Sequence, residues 1–314
     1  MDLKYKNVDV VIPTCCPDEK LSLIMKRLEL QTIRPEKIIL IDTKVPGKEG
    51  KVPAKSFACY ENVTYVQIEQ SEFDHGGTRN KGAELSDAPV ILFMTQDAVP
   101  MNPHLIEEIL RGFEDEQVAA VYARQVPKKG SGLVERYTRE FNYPGISCKK
   151  DKSTMERYGV KSYFCSNTCA AYRKDRFTEA GGFAAPVIFG EDMKMAAKLI
   201  QSGYAVYYAA DARVLHSHDY TVVQQFRRNF DNGVARRMDR EIYEGVKAAE
   251  GEGIRLVLGN LAFLLKHKKY FSIPDLFVKS AGKYAGFFLG KHYEYLPVTF
   301  CRKCSMNQKF WENQ

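Results

Sequence analysis

Short apolar runs alternate with helix-patterned segments through the first half of this 314-residue chain, and that rhythm limits what it can fold into. Residues 8–13 form an apolar run that stops at Pro13-Thr14. Residues 37–41 form a second that closes on Asp42, residues 63–69 alternate like a strand, and residues 89–94 lead into Thr95-Gln96-Asp97. Residues 118–126 read as a fifth strand. Between them, Leu21, Ile24, Met25 and Leu28 recur at helical spacing, a helix starts near Thr78, and residues 103–113 are helical behind Asn102 as cap. Strands that alternate with helices in this way predict an α/β fold, a mostly parallel sheet with helices on both faces. Ligands of such sheets sit beyond the carboxyl ends of the strands, where Thr14, Asp42 and Asp97 all fall.

The second half is less regular. Residues 162–172, 205–208 and 212–218 read as strands, residues 190–200 as a helix closed at Gly203, and residues 221 to about 247 as another helix. Gly251 to Gly253 marks the best boundary, giving a main domain over 1–250 and a helical extension over 251–314. The extension has ten Lys/Arg against four Asp/Glu, a net of +6, whereas the whole chain carries +7. A nearly neutral body with a basic, aromatic-rich tail points to an anionic surface as partner of the tail, or to a solvated helix face. An ordinary 45% hydrophobic content excludes disorder as the dominant state. The longest nearly apolar stretch, 257–265, falls far short of the ~20 residues that span a bilayer, and residues 1–8 lack an apolar signal core. A cytoplasmic or peripheral protein with eight reduced cysteines is the expectation. Cys301-x-x-Cys304, with no second pair at matching spacing, is a weak zinc signal.

Four places carry chemistry. Asp97, where the strand leaves the sheet, is either a turn cap or a carboxylate that holds a divalent cation against a diphosphate. Glu191-Asp192 opens a helix, where acids are favoured by the helix dipole and where one carboxylate can also serve as a general base. His216 and His218 share a face at a strand end by alternation and are candidate metal ligands. The segment Phe73-Asp-His-Gly-Gly-Thr-Arg-Asn-Lys-Gly82 is either a tight loop with a helix cap or a set of amides, with Arg79, that meets phosphate or a nucleobase.

In this order over residues 8 to about 240, these features resemble the family 2 glycosyltransferases of GT-A fold. The stretches 73–80, 95–100, 166–173 and 214–220, with the tail pattern around Leu289, Pro297 and Trp311, are similar to the bacterial rhamnosyltransferase branch. The resemblance implies an inverting, metal-dependent transfer of a sugar, with rhamnose from dTDP-rhamnose favoured over UDP-galactofuranose or UDP-hexose, onto a cell-surface glycan or lipid-linked saccharide. An inactive sugar-binding subunit and a nucleotidyltransferase are the rivals; the latter lacks its Gly-rich loop, since Pro13-Thr14-Cys15-Cys16-Pro17 follows the first strand. By the same resemblance, Asp192 is the general base and Glu191 orients the acceptor. Asp97 and His216 hold Mg²⁺ or Mn²⁺, with His218 as the alternative. Pro13, Thr14, Asp42, Arg79 and Gln96 bind the nucleotide, Asp42 through a pyrimidine. Residues 224–228 join Arg79 as candidates for the diphosphate. Thr95 stands where the family has its first metal-site acid. The expected setting is the cytoplasmic face of the inner membrane, with a possible homodimer through the tail and no nucleic acid.

Overall fold

The computed structural model describes residues 3–246 and 251–313. In chain order it contains β1 (Val8–Cys15), α1 (Glu19–Glu29), β2 (Lys37–Lys44), β3 (Val63–Glu69), α2 (His75–Glu84), β4 (Val90–Met94), β5 (Val99–Pro100), α3 (Leu105–Arg111) and β6 (Val118–Val126). Then follow α4 (Leu133–Asn142), β7 (Cys148–Lys150), α5 (Met155–Tyr158), β8 (Cys169–Arg173), α6 (Lys174–Glu179), α7 (Glu191–Gln201), β9 (Ala205–Leu215) and α8 (Val222–Met238). The last helices are α9 (Glu252–Lys266), α10 (Ile273–Lys291) and α11 (Val298–Cys304).

One sheet runs in the order β3-β2-β1-β4-β8-β6-β9-β5, with β7 beside β9. Its first four strands are parallel, as are β6 and β9. Strand β8 enters between β4 and β6 antiparallel to both, and β5 and β7 pair antiparallel with β9. The central strands carry near-continuous apolar runs because both faces are covered. Val10, Ile12, Ile38, Leu40 and Leu92 point to one face, where they meet Leu21, Ile24, Leu28 and Ile109 of α1 and α3. Val11, Ile39, Ile41, Ile91 and Phe93 point to the other, against Phe177, Phe183, Leu199 and Ile200. Each such fully buried aliphatic side chain contributes about 1.5–3 kcal/mol over its exposed state.

Buried carboxylates tie the polar ends together. Asp9 accepts hydrogen bonds from Lys37 N, Ser86 Oγ, Asp87 N and Ala88 N, which fixes the entries of β1, β2 and β4 in common register. Asp231 of α8 accepts from Ser305 Oγ, Met306 N and Asn307 N and so holds the end of the chain. Around it Phe230, Val234, Cys301, Cys304 and Trp311 form a third apolar cluster with Ile188.

Several sequence expectations change. Residues 162–172 are not one strand: only β8 pairs, because Gly159–Tyr163 turns in a 3₁₀ helix and Asn167 faces the site. The segments 205–208 and 212–218 are one strand, β9, which stops at Leu215 before both histidines. Helix α8 ends at Met238, well before residue 247, which lies outside the described residues with 248–250; the domain limit expected at Gly251 to Gly253 follows them. Helix α3 starts after His104 instead of Asn102, whose Oδ1 accepts from His104 N. The parts on either side of that limit pack on each other, α10 along α8 and α9 against α4.

Candidate active site

The carboxyl ends of β1, β2 and β4 open on one side of the sheet. There Thr14 and Asp42 face each other across the β1–β2 ladder, and the Thr14 hydroxyl donates to Asp42 Oδ1 at 2.7 Å. Tyr65 of β3 donates to the other oxygen at 3.1 Å, and burial first, then Asp42, raises its phenol to about 12. The Gln96 side chain clasps the backbone of Cys15, accepting from its N and donating to its O. This amide does for β1 and the end of β4 what a further ladder bond would, and Pro13 is held beside Ile41 in the same ladder. The five residues assigned to the nucleotide thus divide: Pro13, Thr14, Asp42 and Gln96 gather here, and Arg79 lies elsewhere.

Three residues past β4, Asp97 meets the two histidines that follow β9. His216 Nε2 lies 3.5 Å from Asp97 Oδ1, His218 Nε2 lies 3.3 Å from Oδ2, and the two Nε2 atoms are 3.0 Å apart. Strand alternation did not produce this pairing, since both rings lie beyond β9; His216 is placed by its own N–H on Val126 O. The ligand atoms of the three side chains lie within 4.8 Å of one another. Burial pushes His216 down to about 3 and lowers His218 too, so both rings are neutral, the form that binds a cation. Burial works against the Asp97 carboxylate, but the groups facing it outweigh that cost and hold it below the usual aspartate range; among them the Thr95 hydroxyl donates to Asp97 Oδ1 at 2.8 Å. One carboxylate and two imidazoles, mutually close and without a cation of their own among them, fit a divalent transition ion as well as Mg²⁺. Thr95, in place of an acid, orients Asp97.

Asp192 sits at the start of α7. Gly190 precedes it with φ +84°, a left-handed turn that glycine adopts without strain and that aims the first helical turn at the cleft. Asp192 Oδ2 accepts from Asn167 N at 3.0 Å and Oδ1 from Met193 N at 2.8 Å. Burial, then the neighbouring Glu191 charge, raises its carboxyl to about 7. Glu191 is shifted the other way. Burial alone would raise it, but Arg79 at 3.3 Å, His75 and the Asn167 amide at 3.1 Å keep it ionised. Adjacent acids with opposed shifts are the pattern of a base beside a fixed charge.

The segment 73–82 therefore works as a bracket. Asp74 caps α2 through the amides of Gly76 and Gly77 and also takes Val187 N, while Asn80 clasps Phe183 with two 2.9 Å bonds. Arg79 is turned inward to Glu191 and His75 O. These amides are occupied and present no open phosphate cradle; the segment instead holds the loop that delivers Asp192. Of residues 224–228, Arg228 stacks on Phe189 (4.6 Å) and borders Tyr220 (5.9 Å), which in turn stacks on His218.

Sequence reading missed Asn167, Gln125, Arg139 and Lys128. Asn167 was visible within Ser-Asn-Thr-Cys169 but had no assigned role. Gln125 ends a strand, and Arg139 belongs to a helix with no short motif around it.

Comparison with known proteins agrees with this fold. The model of "Glycosyl transferase family 2" matches residues 9–180. The O-antigen chain rhamnosyltransferase RfbN of Salmonella typhimurium (strain LT2) is 39% identical over 307 residues, 98% of this chain and 96% of that protein. WbaN of Salmonella anatum, also an O-antigen chain rhamnosyltransferase, is 39% identical over 284 residues, 90% and 88% of the two chains. In fold, the chain is similar to the mannosyltransferase PcManGT of Pyrobaculum calidifontis in complex with GDP-Man and Mn²⁺, with TM-score 0.58, 13% identity and coverage of 98% and 88%. It is also similar to S. aureus TarS 1–349, with TM-score 0.56, 13% identity and coverage of 98% and 90%. With a GT-A sheet, a family match over more than half its length and relatives alike from end to end, the chain belongs to glycosyl transferase family 2 and is a glycosyltransferase.

Proposed function

We propose that the enzyme moves rhamnose from dTDP-rhamnose to a hydroxyl of a lipid-linked O-antigen saccharide, with inversion and with a divalent cation. The observation that carries the sugar and the acceptor is 39% identity, over almost the whole of both chains, to a protein named for O-antigen rhamnosyl transfer. Asp192 takes the proton of the acceptor hydroxyl as its oxygen attacks the anomeric carbon, and the bond from that carbon to the diphosphate breaks. Its raised pKa suits a base at neutral pH, and its two backbone donors fix its aim. Glu191, paired with Arg79, stays charged beside it and orients the acceptor. Asp42 and Thr14, with Pro13 and Gln96 around them, receive the pyrimidine; Arg228 is the candidate for the diphosphate.

Asp97, His216 and His218 would hold the cation, Mn²⁺ or Mg²⁺, a reading supported by their mutual distances and by the Mn²⁺ of a neighbour in fold. When bound, the ion supplies Lewis-acid stabilisation of the departing diphosphate. The basic, aromatic tail places the enzyme on the inner-membrane surface; pairing of two copies through the same helices is the competing use. No helix of the described residues is long and apolar enough to cross a membrane.

A donor panel tests the reading. Transfer from dTDP-rhamnose is expected to exceed that from UDP-galactofuranose and UDP-hexoses, to vanish in EDTA and to return with Mn²⁺ or Mg²⁺. Faster transfer from a UDP-sugar would overturn the donor, and full activity in EDTA would overturn the cation.

A further inference from the structure

Behind His216, on the side away from Asp97, lies a buried polar chain that the proposed chemistry leaves unused. His216 Nδ1 is 2.9 Å from Gln125 Oε1. The same oxygen accepts from Arg139 Nη1 of α4. The amide nitrogen of Gln125 donates to Tyr143 OH at 2.6 Å and to Ser166 Oγ at 2.9 Å. Arg139 is itself fixed by Glu135, one turn earlier on α4, at 2.7 Å. Gln125 is 3% exposed, so these partners are not replaced by solvent.

The donor and acceptor inventory of this chain permits one arrangement. A guanidinium has five N–H donors and no acceptor. Gln125 must therefore turn its carbonyl oxygen, and not its NH₂, toward Arg139; a flipped amide would set donor against donor. That oxygen is the atom facing His216 Nδ1, so the ring must offer a hydrogen there. A neutral imidazole has only one, so Nε2 keeps its lone pair, which faces Asp97 and, in the cation-free protein, accepts from the Nε2–H of His218 at 3.0 Å. Only the tautomer with a bare Nε2 can bind a cation at that atom, and a partner on the far nitrogen of a ligating histidine commonly fixes this.

We propose that Arg139 and Gln125 are positioning residues that lock His216 in its Nδ1–H tautomer and so keep its Nε2 lone pair ready for a divalent cation at the Asp97–His216–His218 cluster. The proposal rests on the reading of that cluster as a metal site. It concerns the cation-free protein, so the two can fail separately. It also assigns a task to α4, a helix that contributes no atom to the cluster itself.

The test uses the full-length protein, stripped of metal and labelled with ¹⁵N-histidine. Long-range ¹H–¹⁵N correlation distinguishes the two tautomers, with His216 assigned through its loss in His216→Gln. Nδ1–H is expected in the wild type; Nε2–H there overturns the proposal whatever any variant does. In a second arm, Mn²⁺ binding without nucleotide or acceptor is read from the electron paramagnetic resonance signal of free Mn²⁺. Arg139→Met is expected to weaken binding about 10- to 100-fold, the usual loss when a supporting partner of a metal ligand is removed. Arg139→Lys, which keeps a donor on Gln125 Oε1, should restore most of it. Unchanged affinity in a folded Arg139→Met protein, or no recovery with lysine, overturns the proposal. A wild type that keeps Nδ1–H yet binds no Mn²⁺ overturns the metal reading instead.

Discussion

At the scale of single residues, two adjacent acids are treated differently by the fold. Glu191 is paired with Arg79 inside the protein, whereas among the described residues the donors to Asp192 are backbone amides, and burial with the neighbouring charge keeps its proton on until about pH 7. A base works only when ionised. The plot of log kcat/KM against pH should therefore rise with increasing pH and level off above about 7. Glu191→Gln removes the negative neighbour while Arg79 remains, so the rising limb should move to lower pH. A flat wild-type profile between pH 5.5 and 8, or a limb that Glu191→Gln moves to higher pH, would contradict these roles. The cation cluster yields a second expectation. Asp97→Asn keeps the shape but loses the charge, and Mn²⁺ titrations should show binding weakened by at least tenfold, with the fold unchanged by circular dichroism.

At the scale of elements, the crossing of α10 on α8 is set by glycine. A Cβ at Gly286 would sit 2.2 Å from Phe226 O, and one at Gly290 would sit 2.0 Å from Phe230 O. Their backbones touch because those side chains are missing. Gly282 on the same face has more room, its nearest atom being Val222 Cγ1 at 3.1 Å. Alanine raises helix propensity by about 1 kcal/mol over glycine. Gly290→Ala should nevertheless lower stability by about 1–3 kcal/mol, the cost of overpacking, while Gly282→Ala stays near neutral in urea unfolding. Equal effects would show that the close approach is not what fixes the crossing. The same contrast explains what the sequence disclosed. Strands β1, β2, β4 and β6 were legible because burial on both faces writes a near-continuous apolar run, and Asp42, Asp97 and Asp192 because they stand where such runs or a helix begin or end. Strand β8 was drawn too long because Ser162 and Tyr163 are buried in a 3₁₀ turn, and burial alone does not distinguish a turn from a strand. Asn167, Gln125 and Arg139 were invisible for a further reason. Their work consists of hydrogen bonds across 24, 91 and 14 residues of chain, which no local pattern records.

At the scale of the whole molecule, the tail divides its aromatic residues by direction. Phe263 packs on Tyr137 of α4, and Tyr293 packs on Trp311, which itself meets Phe230 of α8, so these face the body. Tyr270, Phe271, Phe277, Tyr284 and Phe288 are exposed, Phe271 fully, and just before them stand the exposed Lys266, which ends α9, and Lys268 and Lys269, in the turn that follows it. Among the described residues no ion pair involves these three lysines. Apolar insertion beside unpaired lysines, each worth about 1 kcal/mol near an anionic surface, would give reversible attachment that salt weakens. Full-length protein should sediment with anionic vesicles at low salt and not with neutral ones, and Phe271→Ser with Lys268→Glu and Lys269→Glu should abolish this while leaving donor binding intact. Equal sedimentation with both vesicle types, together with a change of mass in solution on substitution, would point to self-association. The central claim remains that this GT-A fold transfers a sugar by base catalysis at Asp192. It is met most directly by single-turnover transfer from saturating dTDP-rhamnose, comparing the wild type with Asp192→Asn. A loss on the order of 10²–10⁴ in rate is expected, the usual size of general-base catalysis, with donor affinity unchanged. A rate within a few-fold of wild type would contradict it.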